Sequence, residues 1–113
     1  MIKIYHNARC RKSREGLALL EESGKDFEVI NYLENIPKKS ELLAVIKLLS
    51  ISPEELIRKN EAVWKENYKG KSLTDEQVVD AMLQHPKLIE RPIVINGDKA
   101  VIGRPAALIT SIL

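Results

Sequence analysis

Within its first 32 residues the chain reads as strand, helix, strand. Ile2, Ile4 and Tyr5 form a short β-prone run. Between Arg11 and Ser23, Leu17, Ala18 and Leu20 recur at helical spacing, and Gly24 follows as a natural C′ residue. Phe27 to Tyr32 (FEVINY) makes a second β-prone run. This is the size of a right-handed βαβ unit, and it points to an α/β fold.

The middle of the chain changes period. Ser40 is placed to cap a helix carrying Leu42, Leu43, Ile46 and Leu49. Ser52-Pro53-Glu54-Glu55 has the form of a capping box with proline at the first helical position, and predicts a short helix ending near Arg58. Residues 61–73, with Trp64 and Tyr68 among charges, read as helix or loop. Thr74-Asp75-Glu76-Gln77 predicts a capped helix through Val78, Val79, Met82 and Leu83, stopped by Pro86. Ile93-Val94-Ile95 and Ala100-Val101-Ile102 then flank Asn96-Gly97, a hairpin signal, and Pro105 to Leu113 reads as a closing helix. The order is β-α-β, helices over about residues 37–86, then β-β-α, in one domain spanning 1–113.

Composition excludes several classes. Of 113 residues 44% are apolar and 30% charged, as in ordinary globular proteins. The net charge, 18 − 16 = +2, is too small a bias to imply nucleic acid. The longest apolar run is Leu42 to Ile46, too short for a membrane span. No basic stretch followed by an apolar core marks a signal peptide. One cysteine makes no internal disulfide, so the expected compartment is the reducing cytoplasm. With two distant histidines, of which His85 simply precedes Pro86, it makes no metal cluster either, and no metal is expected.

Cys10 is the candidate nucleophile. It follows the first strand by a short loop and sits where the first helix begins, beside Arg9, Arg11, Lys12 and Arg14. A helix N-terminus and nearby cations both favour thiolate over thiol. The alternative is a small buried hydrophobe, to which the polar flanks are ill suited. Like charges at a helix start oppose the dipole, a mismatch that an oxyanion would relieve. Ser13, three residues after Cys10, stands where a Cys-x-x-Cys motif holds its resolving thiol. It either marks an external-thiol cycle or simply bonds within the first turn. His6, in the same loop, is near enough to influence the thiol.

Several segments resemble the glutaredoxin-coupled arsenate reductase family of the thioredoxin-like superfamily. They are YHNARCRKSR around Cys10, NYLEN at 31–35, LIRKN at 56–60, MLQHPKLIERPIVI at 82–95 and GRP at 103–105. The resemblance covers essentially the whole chain. It implies a thioredoxin-like mixed sheet with a helical insertion, Cys10 as the nucleophile on arsenate with His6 in support, and Arg58, Arg91 and Arg104 around the oxyanion. It also implies a cis peptide at Arg91-Pro92, no bound cofactor, glutathione as external reductant and glutaredoxin as partner. Guanidinium forks suit tetrahedral oxyanions. The family's familiar members carry Gly-Thr directly after the nucleophile, whereas this chain has Arg11-Lys12. Those cations enlarge the charge of the site, block it, or prepare it for another acidic substrate. Two other readings stay open. One is a glutathione-linked monothiol redox protein of different specificity. The other is a non-catalytic regulator like the Spx-like proteins, which bind RNA polymerase but typically have Cys-x-x-Cys.

Overall fold

The computed structural model describes all residues 1–113. The chain forms two compact units, Met1–Asn35 with Arg91–Leu113, and Ile36–Glu90.

The first unit holds the sheet. Its strands are β1 (Ile2–Tyr5), β2 (Phe27–Ile30), β3 (Ile93–Asn96) and β4 (Lys99–Ile102), in the order β2-β1-β3-β4. β1 and β2 are parallel, Ile2 opposite Phe27 and Tyr5 opposite Ile30, as the strand–helix–strand opening predicts. β3 runs antiparallel to both β1 and β4, so the sheet is mixed. Helix α1 (Arg11–Ser23) ends at Gly24, whose φ of +72° is the left-handed cap that glycine adopts without penalty. Ile2 and Ile4, alternate residues of β1, pack with Leu20, Val94, Ile109 and Ile112 in the core of this unit.

Three details of this unit differ from the sequence expectation. β2 stops at Ile30 because Asn31 turns the chain, its carbonyl accepting from the N–H groups of Glu34 (3.0 Å) and Asn35 (2.9 Å). The hairpin turn is Gly97-Asp98, since Asn96 is still paired with Lys99. Gly97, at φ +63°, takes the left-handed position of a type II′ turn. The closing segment, Ala106–Ile112, is 3₁₀ rather than α-helical. Its β-branched Ile109, Thr110 and Ile112 weaken α propensity, and three-residue periodicity puts Ile109 and Ile112 on one buried face.

The second unit is helical: α2 (Lys39–Leu49), α3 (Ala62–Asn67) and α4 (Asp75–Gln84), with 3₁₀ turns at Pro53–Leu56 and Pro86–Leu88. Thr74 caps α4 as expected, its Oγ1 accepting from Gln77 N–H at 3.2 Å while Gln77 Oε1 accepts from Thr74 N–H at 2.8 Å. Ser40 does not cap α2. The helix begins two residues earlier than that cap implies, at Lys39, and Glu41 reaches back to the Lys38 N–H at 2.9 Å. The segment from Ser52 is a 3₁₀ turn that ends at Leu56 rather than a helix running to Arg58. Ile57 is extended there and bridges Ile89, with Arg58 N–H on Leu88 O (2.8 Å) and Glu90 N–H on Leu56 O (2.9 Å). That pairing carries the helical unit to Glu90, past the boundary at Pro86. No helix is long and apolar enough to cross a membrane.

Two glycines in the first unit are places of close approach. A Cβ on Gly16 would lie 2.9 Å from Pro92 Cγ and 3.1 Å from Ile109 Cδ1. One on Gly103 would lie 2.9 Å from Ile109 Cδ1 and 3.1 Å from Pro92 Cγ. In an open helix Gly→Ala gains roughly 0.8–1 kcal/mol, but overpacking a core costs about 1–3 kcal/mol. A ring carbon cannot swing away, so the clash wins. Gly16→Ala is expected to lose about 1–2 kcal/mol of stability, read as a lower midpoint in urea unfolding; an unchanged or higher midpoint contradicts this packing.

Candidate active site

The loop from β1 to α1 is a tight turn built on Asn7. Cys10 N–H bonds Asn7 O at 3.0 Å, and Asn7 Oδ1 accepts from Arg9 N–H at 3.0 Å, an Asx arrangement that only a short polar side chain makes. The turn delivers Cys10 to the N-cap of α1, with extended backbone (φ −99°, ψ 121°), and its carbonyl accepts the first helical bond from Arg14 N–H at 3.0 Å.

Cys10 is partly exposed. Burial pushes its thiol pKa up. The Ser13 N–H, the Arg91 guanidinium by hydrogen bond and by charge, and the Lys12 N–H together outweigh it, so the pKa is lowered from the ordinary thiol value. Arg104 Nη1 lies 3.8 Å from Cys10 Sγ and also donates to Arg91 O at 3.2 Å. The two arginines flank the open end of the β3–β4 hairpin, one before β3 and one after β4, and the Gly103 N–H to Pro92 O bond (2.8 Å) holds that end together. Both Arg91-Pro92 and Arg104-Pro105 are cis. The first was implied by the family resemblance; the second was not anticipated.

Ser13 is fully buried, with its Oγ 2.7 Å from His6 Nδ1 and accepting from Asn7 N–H at 3.0 Å. His6 therefore contacts Ser13 rather than the sulfur. Burial lowers the imidazole pKa, hydrogen bonding at Ser13 opposes this, and the charge of Arg14 adds to the lowering. The lowering favours the uncharged ring over the imidazolium. Ser13 thus bonds the loop through Oγ and reaches Cys10 through its N–H.

The remaining basic residues divide. Arg11 is paired with Glu15 at 3.4 Å and Lys12 with the same carboxylate at 3.8 Å, on the exposed side of α1, where the Arg11 side chain is 85% accessible. Glu15, at i+4 and i+3, offsets part of their charge. Arg14 Nη1 donates to Ala8 O at 2.9 Å and braces the loop. Arg58 lies in the helical unit, half-buried, with Nη1 on Glu90 Oε1 at 2.8 Å and Nε 4.0 Å from Glu61. Asn7 was missed in the sequence, although Asn followed by a polar turn and a helix start is itself an Asx-turn signal.

The electrostatics set the pH response. A lowered pKa makes the thiolate population rise at lower pH than for a free thiol, which titrates at about 8.5. Alkylation of Cys10 by iodoacetamide should reach half its plateau rate below that pH, and Arg91→Ala should move the midpoint upward. A wild-type midpoint at the free-thiol value contradicts the assignment.

Comparison with known proteins gives a consistent answer. The ArsC family model matches residues 5–112. The uncharacterized protein YfgD of Escherichia coli K12 is 46% identical over 114 residues, covering 99% of this chain and 96% of that protein. An arsenate reductase of Acidiphilium multivorum is 42% identical over 113 residues, covering 99% and 80%. The solved structure of an arsenate reductase from Vibrio cholerae superposes with a TM-score of 0.95 at 44% identity, over 99% of this chain and 97% of that one. With that coverage, and with the mixed sheet of the first unit, the chain belongs to the ArsC family and has its thioredoxin-like α/β fold.

Proposed function

We propose that this chain is a thiol-dependent arsenate reductase with Cys10 as its nucleophile. The observation that carries this reading is the sulfur itself, at the N-cap of α1, with Arg104 Nη1 at 3.8 Å and the Arg91 guanidinium bonded to it. Two guanidinium forks and the first-turn N–H groups suit a tetrahedral oxyanion, and they offset its negative charge as the thiolate approaches. Arg58 is the third arginine that the family resemblance assigns to the oxyanion. Relatives named arsenate reductases at about 40% identity support the substrate.

In the first step the Cys10 thiolate attacks arsenic. An S–As bond forms and hydroxide leaves, so that E–S⁻ and H₂AsO₄⁻ give E–S–AsO₃H⁻ and OH⁻. Arsenic stays pentavalent. Glutathione then attacks the Cys10 sulfur. An S–S bond forms, the S–As bond breaks with its electron pair left on arsenic, and the thiol proton passes to an arsenite oxygen. Arsenic is now trivalent, and the two thiols are oxidised to a mixed disulfide. Glutaredoxin thiol attacks the glutathione sulfur and releases Cys10. Ser13 in place of a resolving cysteine supports this external route, because the chain has no second thiol. Glutathione acts here as a co-substrate, with no bound cofactor, in a reducing compartment such as the cytoplasm.

The test is arsenate-dependent NADPH oxidation with glutathione, glutaredoxin and glutathione reductase. Cys10→Ser is expected to abolish turnover. Arg104→Ala is expected to lower kcat/KM by about 10²-fold, the scale for losing one preorganised donor to a developing anion. A wild type that alkylates rapidly yet never turns over arsenate refutes the substrate; undiminished activity in Arg104→Ala refutes the cradle.

A further inference from the structure

Beside the Cys10 turn, within the sheet-bearing unit, lies an open cleft of roughly 320 Å³ walled by His6, Asn7, Arg9, Asn31, Leu33 and Glu34. We propose that this cleft binds the reducing co-substrate as a zwitterionic peptide thiol of glutathione's class. The proposal rests on the thiol-dependent reading above and gives its second step a place.

Four observations carry it. The cleft wall and the nucleophile share one turn, since Asn7 O accepts the Cys10 N–H and Arg9 is the residue directly before Cys10. The cleft wall thus ends one residue before the nucleophile along the chain. Arg9 and Glu34 carry opposite charges on the same cleft, yet every ion pair in the molecule is made by other residues. A ligand with both a carboxylate and an ammonium group satisfies both at once, and a neutral thiol satisfies neither. Two buried polar residues, His6 at 6% and Asn7 at 9% exposure, have valences left over on this wall. Ser13 occupies His6 Nδ1 and leaves Nε2, while Asn7 uses Oδ1 on Arg9 N–H and leaves its amide NH₂. These groups suit peptide amides and carboxylates. Finally, the wall is rigid before any ligand arrives, braced by Arg14 on Ala8 O and by Ser13 on Asn7 N–H. Preorganisation of this kind lowers the entropic cost of binding. The volume lies at the small end of the range for small-molecule sites, enough for a short peptide.

Two readouts test it. The first is an NMR titration of ¹⁵N-labelled Cys10→Ser protein with S-methylglutathione, which has no reactive thiol. Saturable shifts at the Ala8, Arg9, Leu33 and Glu34 amides are expected, with affinity reduced at least fivefold in Arg9→Ala and in Glu34→Gln. The second is turnover with glutathione against 2-mercaptoethanol, an uncharged thiol. In each variant the KM for glutathione should rise five- to tenfold more than the KM for arsenate, and the ratio of glutathione- to mercaptoethanol-supported rates should fall by a similar factor. Shifts confined to Gly103 and Arg104 overturn the location. Equal losses with both thiols, or an effect on the KM for glutaredoxin alone, overturn the ligand class. A wild type without arsenate turnover refutes the reductase reading instead, and the titration alone then decides whether the cleft takes a peptide thiol.

Discussion

The Pro92 ring lies 2.9 Å from where a Cβ of Gly16 would stand and 3.1 Å from where one of Gly103 would, and Ile109 closes the same gap from the terminal 3₁₀ segment. Four pieces of chain meet there: the second turn of α1, the start of β3, the end of β4 and the closing segment. Because packed interiors deform little, this contact sets how close α1 can come to the β3–β4 hairpin. The first turn of α1 carries Cys10 and the hairpin carries Arg91 and Arg104. A separation of 3.8 Å between a guanidinium and a sulfur 94 residues away in sequence therefore depends on apolar contacts that take no part in the chemistry.

On that scaffold the thiol is activated by competition rather than by any single group. Partial burial favours the neutral form, and four smaller contributions from Ser13, Arg91 and Lys12 together reverse it. Two of these groups are backbone N–H donors, whose placement depends on the helix and not on side-chain identity. The arrangement also explains why Arg11 and Lys12 can be bulky cations. Lys12 serves the sulfur through its N–H while its ammonium group faces Glu15. His6 and the Ser13 hydroxyl act through the loop rather than on the sulfur. Their 2.7 Å contact and the Asn7 N–H bond hold the turn from which the sulfur projects.

Much of this was legible from residue order. The β1-α1-β2 opening, Gly24 as a cap, the Thr74 capping box and the hairpin all follow from local rules, and the structure has each of them. Errors collected where tertiary packing overrides local preference. Ser40 reads as a cap, but Glu41 captures the Lys38 N–H two residues earlier. Residues 57–58 read as the end of a helix, but pairing with Leu88–Glu90 keeps them extended. The closing segment reads as α-helix, but burying both Ile109 and Ile112 suits a three-residue period. Glu15 at helical spacing was itself a legible local partner for Arg11 and Lys12.

By itself the sequence determined the elements and the nucleophile's setting, because capping, periodicity and turn chemistry act over four or five residues and a helix start beside cations favours a thiolate wherever it occurs. It marked Arg91 and Arg104 only through a family resemblance. Tertiary structure alone decided which cations reach the sulfur, since Arg104 meets Cys10 through antiparallel pairing of β3 with both β1 and β4. It also decided that His6 bonds Ser13, and that Arg9 and Glu34 face one cleft without pairing. Coulomb and hydrogen-bond energies depend on distances of a few ångströms, and such distances between residues far apart in the chain exist only once the sheet and its helix have packed.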